Sequence, residues 1–277
     1  MSKTVQDLKK EHGEGDAGKA VVDPKSMNPK QKFKHFLTIY RPNIAAALPR
    51  HMSVDRMVNV IYVAALDNPK LLECEMSSLI RAAMHCAQLG LEPNTPMQHA
   101  FLVPFKEKKT GKVLCQVLIG YRGMIDLARR SKQIVSISAH EVRENDEFRY
   151  AYGLNEELYH VPADGERGEV KYYYAVARLV GGGHAFEVMT QQQVKEIMLK
   201  TQSGGRYGPW LDHPVEMGRK TPIRRLWKYI PTSIEMGNAM ALDDMASDNR
   251  EQILPSDLDE SMEIKIDDDL EAEEGEE

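Results

Sequence analysis

Hydrophobic residues recur at helical spacing up to residue 90, alternate from about residue 99 to 189, and return to helical spacing beyond it. Phe33, Phe36, Leu37 and Tyr40 share one helical face until Pro42, and Ile44 to Leu48 continue after the break. Ser53 is placed to cap a helix whose buried face is Met57, Val60, Ile61 and Ala64 and which stops before Pro69. Leu79, Ile80, Ala83, Met84 and Ala87 predict another, ended by Gly90. These N-terminal helices look like scaffold.

After Pro93 the pattern changes. His99 to Phe105 and Val113 to Gly120 predict a hairpin whose tip, KEKKTGK, sets Lys106, Lys108, Lys109 and Lys112 around Glu107. Such a tip serves equally as a phosphate clamp or a solvated turn. Tyr121 to Lys132 follows directly as an amphipathic helix. Ile134 to Val142 alternates as a strand, Phe148 to Tyr152 predicts a further one, and Val170 to Leu179 pairs with His184 to Met189 across Gly181, Gly182 and Gly183. Thr190 and Gln193 have capping-box spacing and open a helix to about Leu199. Ser233 to Met245 predicts a last helix. The fold class is therefore α+β: N-terminal helices, a central antiparallel hairpin or sheet backed by a helix, and C-terminal helices.

Charge changes this picture. The net charge of -6 is unevenly spread, because residues 251–277 hold 13 acidic side chains against Lys265 alone; removing that -12 leaves +6 on the first 250 residues. Three parts are expected: a disordered leader at 1–28, a folded domain at 29–248 and an acidic disordered tail at 249–277. The tail reads either as a solubility device or as an arm that competes with polyanions. No apolar run approaches the ~20 residues of a membrane span, and the N-terminus lacks a secretory signal core, so a soluble, cytoplasmic protein that stays in the cell that made it is expected. Cys74, Cys86 and Cys115 show no CxxC pairing and read as core positions.

Two basic helices carry the candidate chemistry. In YRGMIDLARRSK, Met124, Ile125, Leu127 and Ala128 form one face and Arg122, Asp126, Arg129 and Arg130 the other, with Arg122 and Asp126 spaced to pair. In GRKTPIRRLWKYIP, Lys220, Arg224 and Lys228 are spaced i, i+4, i+8 beside an apolar face of Ile223, Leu226, Trp227 and Ile230. Pro222 suits the first turn of a new helix capped by Thr221, which would re-aim Lys220 relative to Arg224. Between them lies SGGRYGPW, a glycine-rich loop whose Arg206 could meet a polyanion and whose Tyr207 and Trp210 either offer faces for stacking or fill the core, the core being the favoured place for Trp210. The expectation is that the cationic sides of the two helices face one trough for a polyanion.

Other chemistries fit less well. Gly13, Gly18 and Lys19 imitate a phosphate-binding loop, yet Ala20 replaces the magnesium-binding hydroxyl and Pro24 interrupts the helix that should follow. Asp146, Glu169 and Lys171 loosely match a metal-dependent nuclease. A passive strand-coating protein is the third reading.

At these same residues the chain resembles a known family. AAALPRHM (45–52), QLGLEP (88–93), LIGYRGMIDLARRS (118–131), DEF (146–148), YAVARL (174–179), FEVMT (186–190), GPW (208–210) and KTPIRRLWKYIP (220–231) together resemble the RecT family of phage-type single-strand annealing recombinases. The likeness spans roughly residues 40–235, with Pro222 where the family's Lys-Thr pair is otherwise followed by Ala. It implies a core similar to that of eukaryotic Rad-type annealing proteins. It also implies ATP-independent binding and annealing of single-stranded DNA through an annealed duplex intermediate, and a homo-oligomer in rings or filaments. A RecE-like 5′–3′ exonuclease is the implied partner, with a host single-strand-binding protein as a further candidate. By resemblance the DNA groove maps onto Gln116, Tyr121, Arg122, Arg130, Lys220, Thr221, Arg224 and Arg225, extended by Lys112, Arg206 and Lys228. No catalytic residue or cofactor is expected, and magnesium is expected at most to modulate DNA binding.

Overall fold

The computed structural model describes residues 27–107, 110–201, 203–231 and 233–258. The leader up to residue 26, with its Gly13–Ala20 motif, Lys108 and Lys109 of the hairpin tip, and the tail from residue 259 lie outside the described residues.

Three helices open the fold: α1 (Pro29–Ile39), α2 (Arg41–Ala47) and α3 (Val54–Asp67), followed after a 3-10 turn by α4 (Met76–Leu89). Their ends follow from local chemistry. Asn28 accepts the Gln31 N–H and Gln31 answers with its own side chain, a complete capping box, and Ser53 accepts the Arg56 N–H. Gly90 closes α4 at φ 59°, a left-handed conformation that glycine adopts without a Cβ penalty. Ten of the fourteen α4 residues are buried, so this helix forms the centre of the main core.

Against α4 lies an antiparallel hairpin of β1 (Ala100–Lys106) and β2 (Val113–Ile119), with Leu102 opposite Val117. Its outer edges are closed by other groups. Along β2, the Val113 carbonyl accepts from the Glu75 N–H, the Cys115 N–H donates to Ser78 Oγ, and Val117 exchanges two bonds with the Gln252 amide. Along β1, Asn94 takes the Leu102 N–H on its side chain and gives its own N–H to the Ala100 carbonyl.

The hairpin leads into α5 (Tyr121–Arg130), and then into a three-stranded antiparallel sheet, order β3-β6-β7, of β3 (Ile134–Arg143), β6 (Val170–Leu179) and β7 (His184–Thr190). β4 (Glu147–Ala151) and β5 (Glu157–Val161) form a separate hairpin. β5 was not expected from the sequence. α6 (Gln191–Lys200) carries the Thr190–Gln193 capping box, a short α7 (Pro209–Asp212) follows, and α8 (Pro214–Leu226) packs on the sheet, with α9 (Ile234–Ser247) the last α-helix among the described residues.

The two faces of the three-stranded sheet differ. Tyr173, Ala175 and Ala177 of β6 are buried on the face that α8 covers, while Tyr172, Tyr174 and Val176 alternate to the other. Gly218 lets α8 sit flat on this sheet, since a Cβ there would come within 2.3 Å of the Tyr173 ring. The α+β class, the layer order and the helix-backed hairpin, the helix being α4, agree with the sequence pattern.

Two sequence expectations are corrected. α8 runs unbroken from Pro214 through Pro222 to Leu226, instead of restarting at Pro222. Thr221 is buried and bonds back to the Met217 carbonyl at 3.0 Å, so it is unavailable as a cap. Burial of Ile223 and Leu226 offsets the hydrogen bond that Pro222 removes. The second concerns the start of the tail. The folded part extends past residue 248: Arg81 pairs with Glu251, Gln252 and Leu254 are buried, and His85 Nε2 lies 2.8 Å from Asp257. An acidic composition hid a segment anchored by one amide and one leucine.

Candidate nucleic-acid interface

Local geometry fixes α5. Cβ atoms at Gly120 and Gly123 would stand 2.2 Å from the Gln98 carbonyl oxygen and 2.1 Å from that of His99, so these glycines let the start of α5 lie against the 98–99 backbone. Met124, Leu127 and Ala128 are buried, and Arg122, Arg129 and Arg130 lie on the exposed side. Asp126 pairs with Arg130 rather than Arg122, whose Nε instead lies 3.4 Å from the Tyr121 hydroxyl. That hydroxyl is the main cause, with Glu216 of α8 as a lesser one, that holds the Arg122 guanidinium above its ordinary pKa. α5 and α8 are in contact, so the two basic helices are neighbours as expected.

The row expected of Lys220, Arg224 and Lys228 is partly neutralised by acids of α9. Lys220 Nζ lies 3.1 Å from Asp243 of α9, and Arg224 reaches Asp243 at 2.9 Å, Ser247 Oγ at 2.7 Å and Asp244. Arg225 points the other way, to Glu187 of β7 at 2.9 Å. Arg130 donates to the Leu89 and Gly90 carbonyls at 2.8 and 3.0 Å, satisfying the C-terminal end of α4. Lys112 lies 3.1 Å from Glu75. Gln116 and Thr221 are buried, and the Gln116 side-chain nitrogen has no partner among the described residues. Tyr121 is half-buried, Arg206 is exposed with its Nε 3.3 Å from the Ser203 carbonyl, and Lys228 is exposed beyond the end of α8. Arg122, Arg129, Arg206 and Lys228 therefore carry no ion pair among the described residues. The pairing acids Asp243, Asp244 and Glu187 lie on other elements, and no sequence spacing could have found them.

The nuclease triplet does not assemble a metal site. Both Asp146 oxygens are engaged, by Arg167 at 2.7 and 2.9 Å, His160 at 3.1 Å and the Arg143 and Ala163 N–H groups. The Arg167 hydrogen bond is the main cause that holds this carboxyl far below the usual range, against burial. Burial pushes the neighbouring Glu141 carboxyl up, but the Arg219 hydrogen bond, a backbone hydrogen bond and the charges of Arg219 and Arg167 together outweigh it, so its pKa also falls. Among the described residues no group of three His, Cys, Asp or Glu side chains is placed to hold a metal ion. Trp210 is buried in a small second core with Tyr173, Met189 and Val194, and Tyr207 is exposed. Cys74, Cys86 and Cys115 are buried, with burial pushing the first two thiols up to about 12.

The profile of the RecT family matches residues 55–255, a range that includes α5, α8 and the anchored segment at Gln252 and Leu254. The chain belongs to the RecT family. It is 48% identical over 206 residues to Protein RecT of Escherichia coli strain K12, covering 74% of this chain and 76% of that protein. For a RecT-family recombination protein, the Asp146–Arg167–Glu141–Arg219 cluster then reads as the polar joint that ties α8 and the β4–β5 hairpin to β3. Among the described residues no helix is long and apolar enough to cross a membrane.

Proposed function

We propose that this RecT-family protein binds single-stranded DNA and anneals complementary strands without hydrolysing ATP or cutting DNA. The observation that supports this most directly is the packing of arginine-bearing α5 against α8 within a chain of that family. Annealing makes and breaks no covalent bond. It requires that phosphate repulsion between two strands be lowered while the bases stay free to pair, and each matched step then gains about 1.4 kcal/mol of stacking. Arg122, Arg129, Arg206 and Lys228 offer charge at once. Arg224 offers it in exchange for its pair with exposed Asp244, worth about 0–1 kcal/mol, which a phosphate can replace; at buried Asp243, which holds both Lys220 and Arg224, a phosphate shares the cations and leaves the carboxylate paired. Such contacts hold the backbone and leave sequence to be read by the DNA.

One subunit covers few nucleotides, so repetition along a strand in a homo-oligomer supplies affinity. A RecE-like 5′–3′ exonuclease would expose the strand, in the bacterial or phage-infected cell where such recombination takes place, and a host single-strand-binding protein is a further partner of this reading. The test mixes complementary labelled oligonucleotides with the protein, with and without magnesium and ATP. Faster annealing of full-length strands without ATP supports the proposal. Shortened strands would restore a nuclease reading, and protection without acceleration would leave only strand coating.

A further inference from the structure

The face of the β3-β6-β7 sheet turned away from α8 carries a run of aromatic rings that the charged helices leave unused. Phe148 and Tyr150 are 5.5 Å apart between centroids, Tyr150 and Tyr152 5.6 Å, and Tyr152 stacks on Phe186 at 5.1 Å and 15°. His184 continues the run, parallel to Phe186 within 9°. Unlike a closed aromatic core, the run is open to solvent: Tyr150 is 40% exposed and Tyr152 53%. Beside it opens a cavity of about 350 Å³ lined by Phe148, Tyr150, Tyr172, Arg143, Arg149 and Lys171, at the small end of the range for small-molecule sites.

The run begins where the proposed groove ends. Arg225 of α8 pairs with Glu187 on one face of β7, and Tyr152 stacks on Phe186 on the other face, its hydroxyl accepting the Val188 N–H at 2.9 Å. β7 is an outer strand of its sheet, so a polymer leaving α8 at Arg225 has only one strand edge to round before it meets Tyr152.

We infer that unpaired bases of a single strand stack on Tyr152 and Tyr150, a site separate from the cationic groove. This rests on the annealing reading and adds to it a place for bases as distinct from phosphates. The charges nearby decide the mode of contact. Glu144, Glu147, Glu156 and Glu157 stand around the β4–β5 hairpin and offset Arg143, Arg149 and Lys171 beside the cavity, so the region carries no row of unopposed cations to grip a phosphate chain; its main offer is flat ring surface, which accepts any base. Stacking on the rings is therefore insensitive to sequence and, unlike the arginine contacts, adds little to the salt dependence.

The test compares the native chain with Tyr150→Leu/Tyr152→Leu and Tyr150→Trp/Tyr152→Trp. Each is titrated with fluorescent (dT)30 and with an abasic strand of equal length, at low and high salt. The leucine pair is expected to bind (dT)30 about 10- to 100-fold more weakly with an unchanged salt slope, and to lose the preference for (dT)30 over the abasic strand. The tryptophan pair should restore both. Leucine variants that bind (dT)30 like the native chain would overturn this site alone and leave annealing intact. A loss that tryptophan does not restore would assign the rings to packing and equally overturn it. A native chain that binds neither strand would overturn the annealing reading and this site together.

Discussion

Asp244 lies beside Arg224 and is exposed, with 54% of its side-chain surface accessible. If Arg224 faces a DNA phosphate, this carboxylate is a competitor, and Asp244→Asn should tighten binding where most changes near a site weaken it. A phosphate bound beyond Arg224 would stand roughly 7 Å from Asp244. At an effective dielectric of about 40–80 the repulsion removed is about 0.6–1.2 kcal/mol, or about 3- to 8-fold in affinity. Folding should change by less than about 1 kcal/mol, because Arg224 keeps Ser247 Oγ at 2.7 Å and Asp243 at 2.9 Å. Fluorescence anisotropy on a labelled oligonucleotide at several salt concentrations measures the effect, which should vanish near 1 M salt, where the Debye length is about 3 Å. Arg224→Ala should do the reverse, weakening all sequences alike and lowering the salt slope by about one. The reasoning is refuted if Asp244→Asn, with an unchanged urea midpoint, binds no tighter at low salt. Weaker binding would make the carboxylate an orienting partner of the guanidinium.

Further outcomes follow from the packing. Gly218→Ala forces a methyl to within 2.3 Å of the Tyr173 ring and should destabilise the fold by about 1–3 kcal/mol in urea unfolding, with Tyr173→Leu in the same chain recovering part of the loss. Asp146→Asn leaves Arg167 without its main partner and should cost about 3–5 kcal/mol, because this pair is buried on the carboxylate side. Its pH dependence has a definite sign. The folded carboxyl is held below the ordinary value by Arg167, so its stabilisation is complete above about pH 4 and is lost only as pH falls further; the gap between native and Asp146→Asn stabilities should be flat from pH 7 to 5 and shrink below 4. Gln252→Ala strips two bonds from Val117 and one from the Leu242 carbonyl, and should lower stability by about 2–4 kcal/mol, read as a shift in the thermal midpoint.

Much of this architecture could be read from periodicity. The helix caps at Ser53 and Thr190 and the β1–β2 and β6–β7 hairpins depend on neighbours within a few residues, and local chemistry is what a linear pattern contains. β5 was missed because its residues, Glu157 to Val161, gain their strand character from a partner, with His160 reaching across to Asp146. Pro222 misled for a similar reason: the isolated helix would break there, but Ile223 and Leu226 hold it against the core. In the candidate groove, the arginine positions were visible and their pairing was not. Asp243 lies 19 and 23 residues from Arg224 and Lys220, and only the docking of α9 beside α8 brings them together.

The amide of Gln252 does for Val117 what a neighbouring strand would do, accepting its N–H at 2.6 Å and donating to its carbonyl at 2.9 Å. A two-stranded ribbon left bare on that side would be an invitation to any extended peptide, another molecule of the same protein included. Shortening the chain at residue 248, the boundary suggested by charge alone, would remove this plug together with the acidic residues. Clumping of such a truncated protein would then report an unzipped ribbon rather than lost electrostatic repulsion, and a cut made after Leu258 tells the two causes apart.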